Sequence, residues 1–297
     1  MRPSSVRLVY HLLLDNRVVT GGARLLGRGL SRQQPGLTRH EVHLDALPAH
    51  LDGLRLLHVT DLHMRDRAGP AARLPELVAS LSHDLALYTG DFIDGDEGID
   101  PLVTLLSAIP ARADAYAVLG NHDYWALSWQ PRPNDTARLE RALAGLGITV
   151  LRNAAAPACH GQLYIAGVDD PVTGRDDVGE AMAAVPRDAA CILMAHSPDI
   201  LLRLDGRKPS LVLAGHTHGG QVRLPVLGPL VNMTSLPRHL AMGYRLYQGV
   251  PLFVSRGLGY SGVDVRFLCP PQVALLELRA VDRKVGRPDG NELTRKD

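Results

Sequence analysis

Short apolar runs recur along this 297-residue chain, and each ends in a cluster of polar residues. Residues 54–60 run into Asp61-Leu62-His63, and 85–89 into Gly90-Asp91-Phe92-Ile93-Asp94. Residues 115–119 deliver Gly120-Asn121-His122-Asp123, 163–166 deliver Gly167-Val168-Asp169-Asp170, and 191–195 deliver His196-Ser197-Pro198-Asp199. Residues 211–214 open into Gly215-His216-Thr217-His218-Gly219-Gly220-Gln221. Apolar runs of this length bounded by turn residues read as buried strands. Helical periodicity between them, over 71–81, 102–108, 136–146, 178–185 and 199–204, predicts an α/β fold. Further strands are expected at 149–151, 252–255 and 273–278, with 223–249 irregular. Polar residues at the carboxyl ends of strands lie where such sheets bind ligands.

Composition narrows the classes. A 45% hydrophobic and 21% charged fraction describes an ordinary globular protein with ample length for a core. The net charge of +1 argues against a nucleic-acid partner. Cys159, Cys191 and Cys269 form no C-x-x-C pair and read as buried thiols in a reducing compartment. No apolar run is long enough for a membrane span, so a cytoplasmic location is expected.

Three regions are expected: a basic segment over 1–40, a catalytic domain over 41–280 and a polar tail over 281–297. The first carries seven arginines against the single acid Asp15, and Val6, Val9, Tyr10, Leu13 and Leu14 share one helical face. Such a helix suits either packing on the body of the protein or a dimer partner, or peripheral contact with an anionic bilayer, here the inner face of the membrane. Gly21, Gly22, Gly27 and Gly29 read as a linker.

Collected together, Asp61, His63, Asp91, Asn121, His196, His216 and His218 supply oxygen and imidazole donors without a thiolate. That set suits Mn, Fe, Zn or Co, and seven ligands fit two ions sharing one carboxylate. Each piece alone has an ordinary reading: a cap, a turn, a core histidine. The alternation in His216-Thr217-His218 directs both rings to one side of an extended backbone.

The order D-x-H, G-D-x-x-D, G-N-H-D, a lone His and G-H-x-H resembles the calcineurin-like metallophosphoesterases over about residues 54–278. The resemblance implies a two-sheet β-sandwich flanked by helices, with a binuclear centre at the sheet edges. It implies one ion at Asp61, His63, Asp91 and His218, and another at Asp91, Asn121, His196 and His216. A hydroxide bridging the ions would attack phosphorus. His122 would protonate the leaving group or clamp a phosphate oxygen, with Asp94 orienting it or serving a structural role. Asp123 would stand behind these groups.

Residues 167–170, 215–221 and 255–259 also look like a bacterial branch of membrane-associated phosphohydrolases, some of which cleave the pyrophosphate of UDP-diacylglucosamine in lipid A synthesis. Pro271-Gln272 departs from the expected Pro-Glu pair. A phosphorylated small-molecule or lipid-linked substrate is therefore expected, with Arg256 and Arg175 as candidate phosphate contacts. The aliphatic stretch from Leu224 to Leu236 would form either internal packing or an apolar lip. The competing expectations are a soluble phosphatase, a cyclic-nucleotide phosphodiesterase, or a metal-binding scaffold with a vestigial site.

Overall fold

The computed structural model describes residues 34–44, 47–66, 69–109, 114–126, 132–262 and 264–281. The amphipathic pattern and glycine linker before residue 34, and the tail beyond 281, lie outside the described residues. Among the described residues no helix is long and apolar enough to cross a membrane.

Two six-stranded sheets form the body of the protein. In the first, β2 (Arg55–Val59), β3 (Leu85–Thr89), β4 (Asp114–Val118) and β5 (Ile148–Val150) run parallel. Antiparallel β14 (Gln272–Ala280) flanks β2, and β1 (Gly36–Leu44) forms the far edge, parallel to β14 with Gly36 opposite Gln272. In the second, β7 (Leu163–Gly167), β8 (Ala190–Met194), β9 (Leu211–Ala214) and β13 (Val250–Val254) run parallel, with antiparallel β6 (Ala154–Ala158) and β12 (Gly243–Tyr247) at the edges. A small hairpin, β10 (Arg223–Leu224) and β11 (Gly228–Pro229), projects beyond β9.

Strand alternation sorts the apolar side chains into layers. Leu56, Leu85, Leu87 and Val118 face Ile165, Ile192, Met194 and Leu213 between the sheets. The next residues along the same strands, Leu57, Ala86 and Tyr88, point outward against Leu102, Leu106, Leu139 and Leu143. These belong to α2 (Ile99–Ser107) and α4 (Thr136–Gly145), which follow the short α1 (Leu74–Val78) and α3 (Asn121–Tyr124). On the other side, Leu193, Val212 and Val254 pack against Val178 and Ala181 of α5 (Val178–Ala181) and against Ile200 and Leu201. The result is the expected sandwich, helices outside and two sheets inside. Asp135 caps α4 by accepting from Arg138 N at 2.9 Å, and Leu139 and Leu143 supply its buried face.

Several expected helices are shorter. The 71–81 pattern becomes a 3-10 turn at Gly69–Arg73 followed by α1, since Pro70 and Pro75 each lack a backbone donor. The pattern over 178–185 keeps one turn, and 199–204 becomes a 3-10 helix over Pro198–Arg203. The stretch 223–249 holds the hairpin and β12 rather than irregular chain.

Candidate metal centre

Strands β2, β3 and β4 of one sheet and β8, β9 and β13 of the other deliver their following loops to one edge of the sandwich. Backbone hydrogen bonds continue past the strand ends: Asp61 N to Gly90 O at 3.0 Å, His63 N to Asp91 O at 3.0 Å, and Gly215 N to His196 O at 2.9 Å. The sheets are stitched together here, because Leu258 N donates to Thr60 O at 3.2 Å and His196 Nδ1 to Thr89 O at 2.7 Å.

The backbone at this edge is unusual in a specific way. Asp61 (φ 53°), His63 (46°), Asp91 (52°), His216 (68°) and His218 (51°) all occupy the left-handed region. Non-glycine residues seldom do so, and such strain gathers where function demands a side-chain direction. The left-handed step turns the chain off each strand so that the side chains converge. Two glycines make room for the result: a Cβ on Gly215 would lie 2.5 Å from Asp61 Oδ2, and one on Gly90 2.9 Å from His196 Nδ1.

Six of the seven residues read as ligands from the sequence fall in two clusters at this edge, Asp61, His63 and His218 in one and Asp91, His196 and His216 in the other, and Asn121 follows the end of β4. His63 Nε2 lies 3.0 Å from His218 Nε2, 4.0 Å from Asp61 Oδ1 and 3.5 Å from Asp91 Oδ2. His218 Nε2 is 3.4 Å from Asp61 Oδ1. In the second cluster His196 Nε2 is 3.1 Å from Asp91 Oδ2 and 3.2 Å from His216 Nδ1. Asp91 Oδ1 accepts from His122 N at 2.9 Å, which leaves Oδ2 directed between the clusters.

Three observations show that this donor set fits a divalent cation. His63 Nδ1 donates to Asp94 Oδ1 at 2.6 Å and His196 Nδ1 to the Thr89 carbonyl, so each ring turns its Nε2 toward the site. Asn121 Oδ1 is buried without a hydrogen-bond partner, a costly arrangement unless another group uses that oxygen. Burial, reinforced by His196, holds His216 down at about 3, and burial with His63 and Arg266 holds His218 well below the usual range, so both rings are neutral donors. Burial would raise the Asp91 carboxyl, but His196, His122 and His63 outweigh it and keep it well below the ordinary range. Burial would lower His196, yet Asp91 and Asp61 bring it to about 10, and a cation held between those carboxylates would take the place of the Nε2 proton.

Asp94 lies between two histidine rings. Its Oδ1 meets His63 Nδ1 at 2.6 Å but His122 Nδ1 only at 3.2 Å and out of hydrogen-bond alignment, while Oδ2 accepts from Arg65 Nε at 2.6 Å. Asp94 therefore supports His63 first. Burial lowers His122, but the Asp91 and Asp94 charges reverse this and raise it. Asp123 ties two loops together, accepting from Phe92 N and Gly120 N at 2.8 Å each, and burial with Asp91 pushes it up to about 7.

The candidate phosphate contacts are engaged by neighbouring groups. Arg175 stacks over the Tyr124 ring at 4.4 Å, and Tyr124 ends the helical turn that carries Asn121 and His122. Arg256 donates to Gln272 Oε1 from its backbone N at 3.1 Å and its Nε at 3.2 Å, within the loop whose Gly257 packs on Asp61.

Sequence reasoning missed two arginines. Arg65 follows His63 by two residues, the one hint that it shares that loop. Arg266 is fully buried and donates to the carbonyls of Gly259 at 2.7 Å and Arg256 at 2.8 Å, with Nη2 3.1 Å from His218 Nδ1. Nothing in Val265-Arg266-Phe267 marks a cation that would be interior.

A family profile described as calcineurin-like phosphoesterase matches residues 54–220. The chain is 31% identical over 240 residues to YkoQ of Bacillus subtilis (strain 168), named an uncharacterized metallophosphoesterase, spanning 79% of this chain and 86% of that one. It is 27% identical over 293 residues to the UDP-2,3-diacylglucosamine pyrophosphatase LpxG of Chlamydia muridarum (strain MoPn / Nigg), spanning 81% and 88%. Phosphodiesterase YaeI of Escherichia coli (strain K12) is 30% identical over 235 residues, spanning 75% and 82%.

Proposed function

This chain belongs to the calcineurin-like phosphoesterase family, a hydrolase family, and on that premise we propose that it cleaves a phosphodiester or pyrophosphate bond with two divalent cations. Asp61, His63, Asp91 and His218 would hold one cation, and Asp91, Asn121, His196 and His216 the other. The observation that carries the reading is the buried, partnerless Asn121 Oδ1, together with the His63 and His196 rings whose outer nitrogens are already spent. When bound, such ions neutralise phosphate oxygens and lower the pKa of water toward neutrality.

The chain's own residues do the rest. His122, whose pKa Asp91 and Asp94 raise against burial, would supply a proton to the departing oxygen. Asp94 holds the His63 tautomer through its 2.6 Å bond and shares its charge with His122. Arg175 and Arg256 are proposed to contact phosphate oxygens away from the scissile bond.

For substrate, we favour a lipid-linked nucleotide diphosphate, on the relationship to the pyrophosphatase named above. A simpler phosphodiester is the second reading, favoured by the comparable identity to a phosphodiesterase. Activity at the inner face of the membrane accompanies the first. Chelator-stripped protein reloaded singly with Mn, Fe, Zn or Co should be assayed on UDP-2,3-diacylglucosamine, bis(p-nitrophenyl) phosphate and p-nitrophenyl phosphate. Metal-dependent release of UMP from the first substrate, in excess over turnover of the others, is expected. Turnover of the monoester alone would overturn the reading.

A further inference from the structure

The hairpin just past the metal-ligand loop breaks several rules for a soluble surface. Its tip is Pro225-Val226-Leu227, where Leu227 N donates to Pro225 O at 2.7 Å across Val226. Val226 has φ 66° and is 106% exposed, with Leu227 at 67% and Leu230 at 51%. A β-branched residue is the least suited to a left-handed turn, and glycine or asparagine normally fills such a position. Here the strained site carries a fully exposed aliphatic side chain, gaining nothing from packing within the chain. Local rules broken in this way point to function.

The surroundings of the hairpin are one-sided in charge. No aspartate or glutamate occurs between Asp205 and Asp264, whereas Arg223 lies on the hairpin itself and Arg238 on the turn packed against it. The hairpin packs beside the 3-10 turn Arg238–Leu240, where Arg238 and His239 are exposed and Arg245 Nε donates to His239 O at 3.3 Å. The acid that reaches this segment from outside, Asp199, is occupied by Ser235 N at 3.0 Å and by Thr234. At the base, Arg223 N bonds Phe267 O at 3.0 Å, next to exposed Leu268. The hairpin is also fixed to the candidate centre: Pro229 packs on Gly220, and Arg223 Nη1 donates to Gly219 O at 2.8 Å, directly after His218.

We propose that the 223–229 hairpin is a membrane-docking tip, inserting Val226 and Leu227 into an anionic bilayer while the basic face around it meets the headgroups. Exposed aliphatic side chains ringed by cations favour a bilayer over nucleic acid, which would leave the aliphatic tip in water. Docking there brings the candidate centre to the lipid surface. The inference concerns the surface and stands whichever substrate is cleaved.

The test is co-sedimentation of the full chain with phosphatidylcholine vesicles, with and without phosphatidylglycerol, comparing wild type with Val226→Asn/Leu227→Asn. Asparagine tolerates the left-handed turn, and thermal unfolding with turnover of a soluble diester checks that the variant folds and works. Both proteins keep residues 1–33, so any difference reports on the hairpin alone. Wild type should bind the anionic vesicles, more weakly in high salt, and the variant roughly tenfold less. Equal binding by the two proteins, or none by wild type, would overturn the proposal. So would a vesicle-independent self-association of wild type that the variant loses, which would make a second copy the occupant.

Discussion

Replacing Asp94 by asparagine separates two roles that the sequence alone leaves merged. The substitution keeps an oxygen acceptor at the same reach but removes its charge. At 2.6 Å the bond to His63 Nδ1 is a short, buried, charge-assisted one, worth roughly twice a neutral bond. The loss is then about 1–1.5 kcal/mol, or roughly tenfold in affinity for the cation that His63 would hold. The ion pair of Asp94 with Arg65 adds little, because the arginine side chain is 39% exposed and keeps Asp264 at 3.4 Å. His122 Nδ1, at 3.2 Å and misaligned, has less to lose. The assay is Mn titration of stripped protein against a chromophoric chelator, followed by turnover at saturating metal with good and poor leaving groups. Weaker Mn binding with nearly normal saturated turnover of both substrates is expected. Unchanged Mn affinity with a selective loss for poor leaving groups would refute the ranking of His63 over His122.

Four further outcomes follow from the same geometry. Asp91→Asn should abolish phosphodiester hydrolysis while the fold survives in circular dichroism; normal turnover with unchanged metal content would remove Asp91 from the centre. His122→Ala should lower kcat by about 100-fold or more for poor leaving groups and much less for p-nitrophenolate, and equal losses would argue against proton donation. Gly215→Ala drives a Cβ to 2.5 Å from Asp61 Oδ2, so metal content should drop while the helices, distant from that contact, remain; full metal loading would contradict the packing. His58 is wholly buried with Nδ1 partnerless, and burial holds it at about 3 against 6.5 when unfolded. Unfolded chains then bind more protons than folded ones as pH falls below 6.5, so between pH 8 and pH 5 this group removes about 2 kcal/mol of stability. Denaturant titrations of His58→Gln should show that much less acid sensitivity than wild type, and identical pH slopes would show His58 to be solvated.

The central strands could be read from sequence because they are buried on both faces, so β3 and β9 appear as uninterrupted apolar runs at the residues expected. Of the edge strands, only β5 could. β6 is Ala-Ala-Ala-Pro-Ala, β12 is half-exposed, and β1 mixes Arg39, His40 and Glu41 with Val42 and Leu44, so none presents a continuous buried run. The candidate ligands were readable because each stands within a few residues of a central strand's end. What lies behind them was not. The buried Arg266 depends on carbonyls of Gly259 and Arg256 converging from a loop, and the preference of Asp94 for His63 depends on a difference of 0.6 Å between two contacts. Spacing carries neither kind of information. The hairpin tip shows the reverse case: its aliphatic residues were plain in the sequence, but only the backbone reveals that Val226 is strained and unpacked.

The most direct test of the account is the stoichiometry of metal reactivation. Chelator-stripped protein at a concentration far above its metal affinity is titrated with Mn while hydrolysis of bis(p-nitrophenyl) phosphate is followed. The two proposed ligand sets, which share Asp91, predict activity that rises to a break at two equivalents per chain. A break at one equivalent would contradict the paired centre, and undiminished hydrolysis by the stripped protein would contradict the metal-dependent mechanism itself.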